Sequence, residues 1–231
     1  MKNIAYTAEY QAWRTAWKAV FAPENRKSIE NMKIDGCDAG YQAERTYYKT
    51  ESGGEVLWGA ETVINDQSGA EIYRWRTDDD DCDFLVLIRH GNGREYFLFR
   101  TGLYGYGVYD VALKREFVYI PDAFESFIWT EAHHNPVNDM LVVRGCYWAC
   151  PWSVILLDFS NPMAETKWVD VIAALPGDYD KYDNLDFIRW DKDTLILKAG
   201  EIIEVDGKTT TKPVELFIPR EQYAKWLETG E

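Results

Sequence analysis

The sequence predicts an all-β, mainly antiparallel protein with a short helix at each end, and three observations carry that prediction. From Tyr41 onward, short runs of β-branched, aliphatic and aromatic residues follow one another, separated by clusters of Gly, Asn, Asp and Pro. Several of those clusters have the chemistry of tight hairpin turns. Helical spacing of apolar residues is confined to the two termini.

At the N-terminus, Tyr10, Trp13, Trp17, Val20 and Phe21 recur at steps of three or four, which places them on one helical face. Thr7 is a suitable N-cap, and Pro23 closes the pattern at Ala22 because its ring clashes with a continuing helix. Residues 24–40 have mixed character and read as a second short helix or a loop. Strands are then expected at Glu44–Lys49, Val56–Ile64, Glu71–Arg76, Phe84–Arg89, Glu95–Arg100, Gly107–Val111 and Phe117–Ile120. The series continues with Ser126–Glu131, Met140–Arg144, Val154–Phe159, Leu185–Trp190, Thr194–Lys198, Glu201–Val205 and Val214–Ile218. Gly91-Asn92-Gly93 supplies residues tolerant of positive φ, and Asp206-Gly207 is a strong hairpin signal. Pro219 suits the first turn of a last helix that runs through Tyr223, Trp226 and Leu227 to Gly230.

The 231 residues suffice to bury a core without staples, and they read as one domain: a helical N-terminal segment 1–40, an antiparallel body 41–218 and a C-terminal helix 219–231. Phe127-Ile128-Trp129 followed by a turn and Met140–Gly145 parallels Phe187–Trp190 followed by a turn and Leu195–Gly200; Phe84–Ile120 fits the same scheme. This strand, turn, strand, loop, strand order, at a spacing of roughly 45–55 residues over 56–218, resembles the blade repeats of β-propellers. The resemblance implies small meandering sheets packed face to face. A β-sandwich is the other architecture the pattern allows.

Charge sets the first limits on function. With 25 basic and 39 acidic side chains the net charge is −14, a field that repels phosphate backbones and anionic membranes, so no nucleic-acid or membrane partner is expected. The opening Met1–Tyr6 holds no continuous apolar run and no later stretch approaches a membrane span, which indicates a cytoplasmic protein. Cys37, Cys82, Cys146 and Cys150 are too few and too unevenly spaced for a disulfide framework.

Motifs for chemistry are sparse. The sequence contains no phosphate-cradling loop, nucleophile elbow or Cys-x-x-Cys pair. His133 and His134 with Cys146 and Cys150 offer zinc-type donors, but the cysteine spacing lacks a knuckle and neighbouring His side chains on a strand face opposite ways, so no metal is expected there. Asp78–Asp81 with Asp83 lacks the alternating ligands and turn glycine of a calcium loop and reads as a solvated loop. In Asp178–Asp186, Tyr182 occupies a position where an EF-hand needs an oxygen ligand, and the acidic and tyrosyl mixture reads as a surface loop suited to a basic protein.

Tyr147, Trp148 and Trp152, clustered around Pro151, form the candidate contact surface, with His133, His134, Asp180 and Tyr182 as further candidates. The default reading of the same rings is that they plug the end of a sheet. The function these features suggest is a non-enzymatic cytosolic protein-interaction module without cofactors, for example an acidic inhibitor or immunity protein for a basic, nucleic-acid-handling target. The alternative is a carbohydrate-active or small-ligand-binding β protein that uses Trp and Tyr platforms.

Overall fold

Thr7 starts the first helix as its hydroxyl predicts, accepting the Tyr10 amide at 3.3 Å to cap α1 (Ala8–Trp17). The helix tightens into a 3-10 turn at Lys18–Phe21, and Ala22 turns extended because Pro23 excludes it from helical dihedrals. In the computed structural model, which describes residues 2–78, 84–123, 125–148 and 151–229, a second 3-10 turn (Pro23–Asn25) leads into β1 (Arg26–Met32). This strand corrects the expectation of a helical 1–40 segment. Its composition is largely polar because it is an exposed edge strand, and pairing with its neighbour, not apolar periodicity, defines it.

The described residues form four sheets, each antiparallel. The all-β, mainly antiparallel class with short terminal helices is therefore the observed one. The first sheet continues with β2 (Tyr41–Ser52), β3 (Glu55–Asp66) and β4 (Glu71–Thr77); the second holds β5 (Leu85–Arg89), β6 (Glu95–Arg100), β7 (Tyr106–Asp110) and β8 (Arg115–Tyr119). The third comprises β9 (Ile128–Asn135), β10 (Met140–Cys146), β11 (Trp152–Asp158) and the short β12 (Trp168–Asp170). Two single-turn helices follow, α2 (Val171–Ala174) and α3 (Asp178–Lys181). The fourth sheet is β13 (Tyr182–Asp191), β14 (Thr194–Val205) and β15 (Lys208–Ile218), and α4 (Arg220–Thr229) ends the described chain.

Every sheet is a simple meander, since each strand pairs with its neighbours in sequence. The turns explain the register. Asp206 and Gly207 take φ of 53° and 71°, the paired left-handed conformation of a two-residue type I′ hairpin, and fix Val205 opposite Lys208. Thr194–Lys198 and Glu201–Val205, expected as separate strands, are one strand running through Gly200. A Cβ there would sit 2.6 Å from the Asp183 carbonyl oxygen, so Gly200 marks a close backbone approach to β13 and not a break.

Contacts divide the chain into two compact units. The first comprises residues 1–89 and 94–124. Its core joins Ile34, Ala43, Ile64 and Trp75 with Leu85, Leu87, Phe97, Phe99 and Tyr109, so large rings supply much of its interior. Val20 and Phe21 seat the end of the N-terminal helical segment against Tyr48 and Leu57.

The second unit comprises residues 125–231 and takes in the turn 90–93. Met140, Val142, Val154 and Leu156 on one face of the third sheet pack with Leu185, Leu195, Leu197 and Ala199 of the fourth, with Val171 and Ile172 of α2 and with Tyr223 of α4. Each of the valine, leucine, isoleucine and methionine side chains among them stabilises by roughly 1.5–3 kcal/mol on burial. Tyr223 also ties α4 to two hairpin turns, donating its hydroxyl to the Asp193 carbonyl at 3.0 Å and accepting from Asn138 Nδ2 at 2.8 Å.

The pairing of β9 with β10 shifts register at Arg144 and Gly145, leaving Thr130 as the extra residue of a bulge; its hydroxyl donates to the Arg144 carbonyl at 2.9 Å. A Cβ on Gly145 would overlap the Ile128 carbonyl oxygen and press on the Phe127 ring. Gly145→Ala is expected to destabilise the protein by about 2–3 kcal/mol, read as a lower urea midpoint with an unchanged slope.

Candidate functional site

Counting back from the β9–β10 turn, Asn135 lies opposite Met140, His133 opposite Val142 and Glu131 opposite Arg144. Opposed residues share a face. His133, Glu131 and Arg144 therefore share the side on which Val142 enters the core, and Val154 and Trp152 on β11 follow the same alternation.

At the margin of that core the polar groups interlock. Arg144 Nε donates to Asp186 Oδ1 at 2.7 Å, and its Nη1 donates to Glu131 Oε1 at 3.1 Å. The guanidinium carbon stands 4.3 Å from the centre of the Trp152 ring, a cation–π contact that holds the indole although 38% of Trp152 remains exposed. Backbone fixes it further, since the Trp152 amide donates to Asn184 Oδ1 at 2.9 Å. Asn184 presents that oxygen from a left-handed position, φ 55°, at a register shift of β13. His133 stacks on Phe187 with ring centres 4.1 Å apart, and its Nε2 lies 3.6 Å from the second Glu131 oxygen.

The sequence candidates do not converge on one place. Trp148, at 60% exposed, and Trp152 present their rings to solvent, and Tyr147 packs edge-on against Phe127 at 5.2 Å. His133 joins the margin just described. Asp180 lies exposed on α3, where its amide donates to Asp178 Oδ1 at 3.1 Å. Tyr182, two residues on, is buried in the core of the second unit, so the acidic loop does not present it. Cys150 lies outside the described residues, as do Asp79–Asp81 and Asp83.

His134 points to the opposite face from His133, as adjacent strand residues must, and enters a different cluster. His90, the first residue of the turn 90–93, has its ring centre 5.4 Å from that of His134. Asp139 closes the β9–β10 turn at φ 54° and aims its carboxylate at both rings: Oδ1 is 3.2 Å from His134 Nε2 and 3.4 Å from His90 Nε2, and it accepts the Gly91 amide at 3.0 Å. His90 accepts the Asn92 amide on Nδ1 at 3.1 Å, which makes its Nε2 the protonated nitrogen and the donor to the Phe159 carbonyl at 2.9 Å. The buried His134 Nε2 is close to Asp139 but out of line with it, and has no hydrogen-bond partner among the described residues. Burial, reinforced by the neighbouring His90, pushes the His134 pKa down to about 4 against the opposing pull of Asp139.

Sequence reasoning missed Arg144, Glu131, Asp186, His90 and Asp139. The first two were accessible, since opposite charges at equal distances from a hairpin turn pair across it, and Asp139 lies in that same turn; Asp186 and His90 come from distant segments and carried no local signal.

No protein-family model and no curated protein sequence matches the chain. No helix among the described residues is long and apolar enough to cross a membrane.

The depressed pKa of His134 gives a signed expectation. Between 6.5 and about 4 the unfolded chain takes up a proton at His134 that the folded chain refuses. Stability from this group is complete above that window and falls as pH drops through it, by roughly 3 kcal/mol at most. Denaturation midpoints measured from pH 8 to pH 4 in metal-free buffer should show the fall, and His134→Gln should flatten it.

Proposed function

We propose that this protein is a non-catalytic, cytoplasmic interaction module that recognises a basic protein through Trp148, Trp152 and the acidic groups around Arg144. One observation carries the reading: Trp152 is an exposed indole already held in place, by a guanidinium that two carboxylates clamp. A contact ring that is ordered before binding loses little conformational freedom on association, which is the property of an energetic anchor. A ring that served only to plug the sheet would have no reason to leave this much indole in water.

Charge supports the choice of partner. The net charge of −14 draws a basic surface and disfavours nucleic acid, so a basic, nucleic-acid-handling protein held by an acidic inhibitor is the form of complex that fits. We further propose that the four meanders are repeats of one blade-like unit, which their common strand order supports.

Capture from lysate on the wild-type protein and on a Trp148→Ala/Trp152→Ala double variant tests the reading. The wild type should retain a basic protein that the double variant loses, while the variant's melting temperature falls by only a few degrees, equivalent to about 1 kcal/mol. Association with that protein should slow as salt is raised. Identical captured proteins on both forms, or an association rate indifferent to salt, would refute it. Binding on a glycan array with a Trp fluorescence change would favour a sugar ligand instead.

A further inference from the structure

We propose that His90, His134 and Asp139 form a binding site for one divalent first-row transition-metal ion, Zn2+ foremost. All three residues belong to the second compact unit. Their ligand atoms lie within 4.8 Å of one another. A tetrahedral ion with bonds of 2.0–2.1 Å holds its ligand atoms roughly 3.3 Å apart. The two edges that meet at Asp139 Oδ1 are 3.2 and 3.4 Å, so these two match that spacing before any ion arrives. Two imidazoles bound through Nε2 to such an ion have ring centres roughly 5 Å apart, and those of His90 and His134 are 5.4 Å apart.

The donor chemistry agrees. Two neutral imidazoles and one carboxylate suit Zn2+ and its neighbours, and they leave a fourth position for water. His134 Nε2 is the independent pointer: a buried nitrogen without a hydrogen-bond partner, 3.2 Å from a carboxylate oxygen, is an unsatisfied group that a cation between the two would satisfy. Asp139 is anchored by the Gly91 amide and about a quarter exposed, which gives the ion a way in.

His90 limits the affinity. Its Nε2 proton is donated to Phe159, and ligation through Nε2 removes that bond and moves the proton to Nδ1, facing the Asn92 amide. Imidazole ligands usually donate their second nitrogen to an acceptor, so this site binds more weakly than one backed by carboxylates, and the turn 90–93 adjusts on binding.

The test is titration of chelator-treated full-length protein with Zn2+ by calorimetry and with Co2+ by visible absorption. The wild type should take up one Zn2+, gain thermal stability, and give the visible bands of tetrahedral Co2+ without a thiolate charge-transfer band. His134→Gln and Asp139→Asn should each weaken binding about tenfold or more. Asp139→Asn is the fold-preserving variant, because Asn tolerates the left-handed backbone and keeps an acceptor for Gly91. His133→Gln, on the opposite face, should bind as the wild type does. Absence of Zn2+ binding to the wild type, unchanged affinity in Asp139→Asn, or a thiolate band assigning the ion to cysteine would each overturn the proposal.

Discussion

The two-residue period of β9 and β10, locked by the burial of Val142 between two sheets, is the constraint on which both clusters depend. Once Val142 is committed to the core, the opposed His133 stays on its face and His134 is forced to the other. A one-residue slip of β9 would exchange the faces of the two histidines, turning His134 toward Phe187 and carrying Glu131 away from Arg144. The same slip in β10 is forbidden by the apolar contacts of Met140 and Val142, because it would turn both out of the core at once. Packing that has nothing to do with binding therefore decides where each histidine can act.

Charge is organised in the same economical way. Arg144 sits between Glu131 and Asp186, Arg74 and Arg76 converge on the nearly buried Glu61, and Arg94 meets the fully buried Asp110. The partly exposed pairs of Arg144 contribute little net stability, about 0–1 kcal/mol each, whereas the buried carboxylates of Glu61 and Asp110 require their partners because an unpaired buried charge is costly. Their value lies in position. Arg144 has two carboxylates and an indole around one planar group, which fixes the ring, and the excess of acidic side chains elsewhere keeps the overall field negative for steering.

How far the sequence could foretell this follows from the range of each interaction. Strands from Tyr41 to Ile218 were legible because alternation and turn chemistry are local, and the Asp206-Gly207 hairpin followed from two residues. β1 and β12 were not legible: β1 is a polar edge strand and β12 is three residues long, so each owes its existence to the strand beside it. The opposite orientation of His133 and His134 followed from strand geometry alone. Their partners did not, because His90 lies 44 residues before His134 in the chain and nothing in its own neighbourhood marks it as a ligand. Tyr182 shows the converse error, where acidic neighbours suggested a surface loop for a ring that the core absorbs.

The two clusters share β9 as a support yet draw on different side chains. Glu131, Arg144, Asp186, Phe187 and Trp152 hold the His133 face, whereas His90, Asp139, Gly91 and Phe159 surround His134. Perturbations that share no partner add in their effect on stability, to within a few tenths of a kcal/mol. An ion on one face therefore reaches the indole on the other only through displacement of the strand itself, which is paired along its length with β10. The scaffold keeps the two surfaces energetically separate, so each can be altered while the other serves as its internal reference.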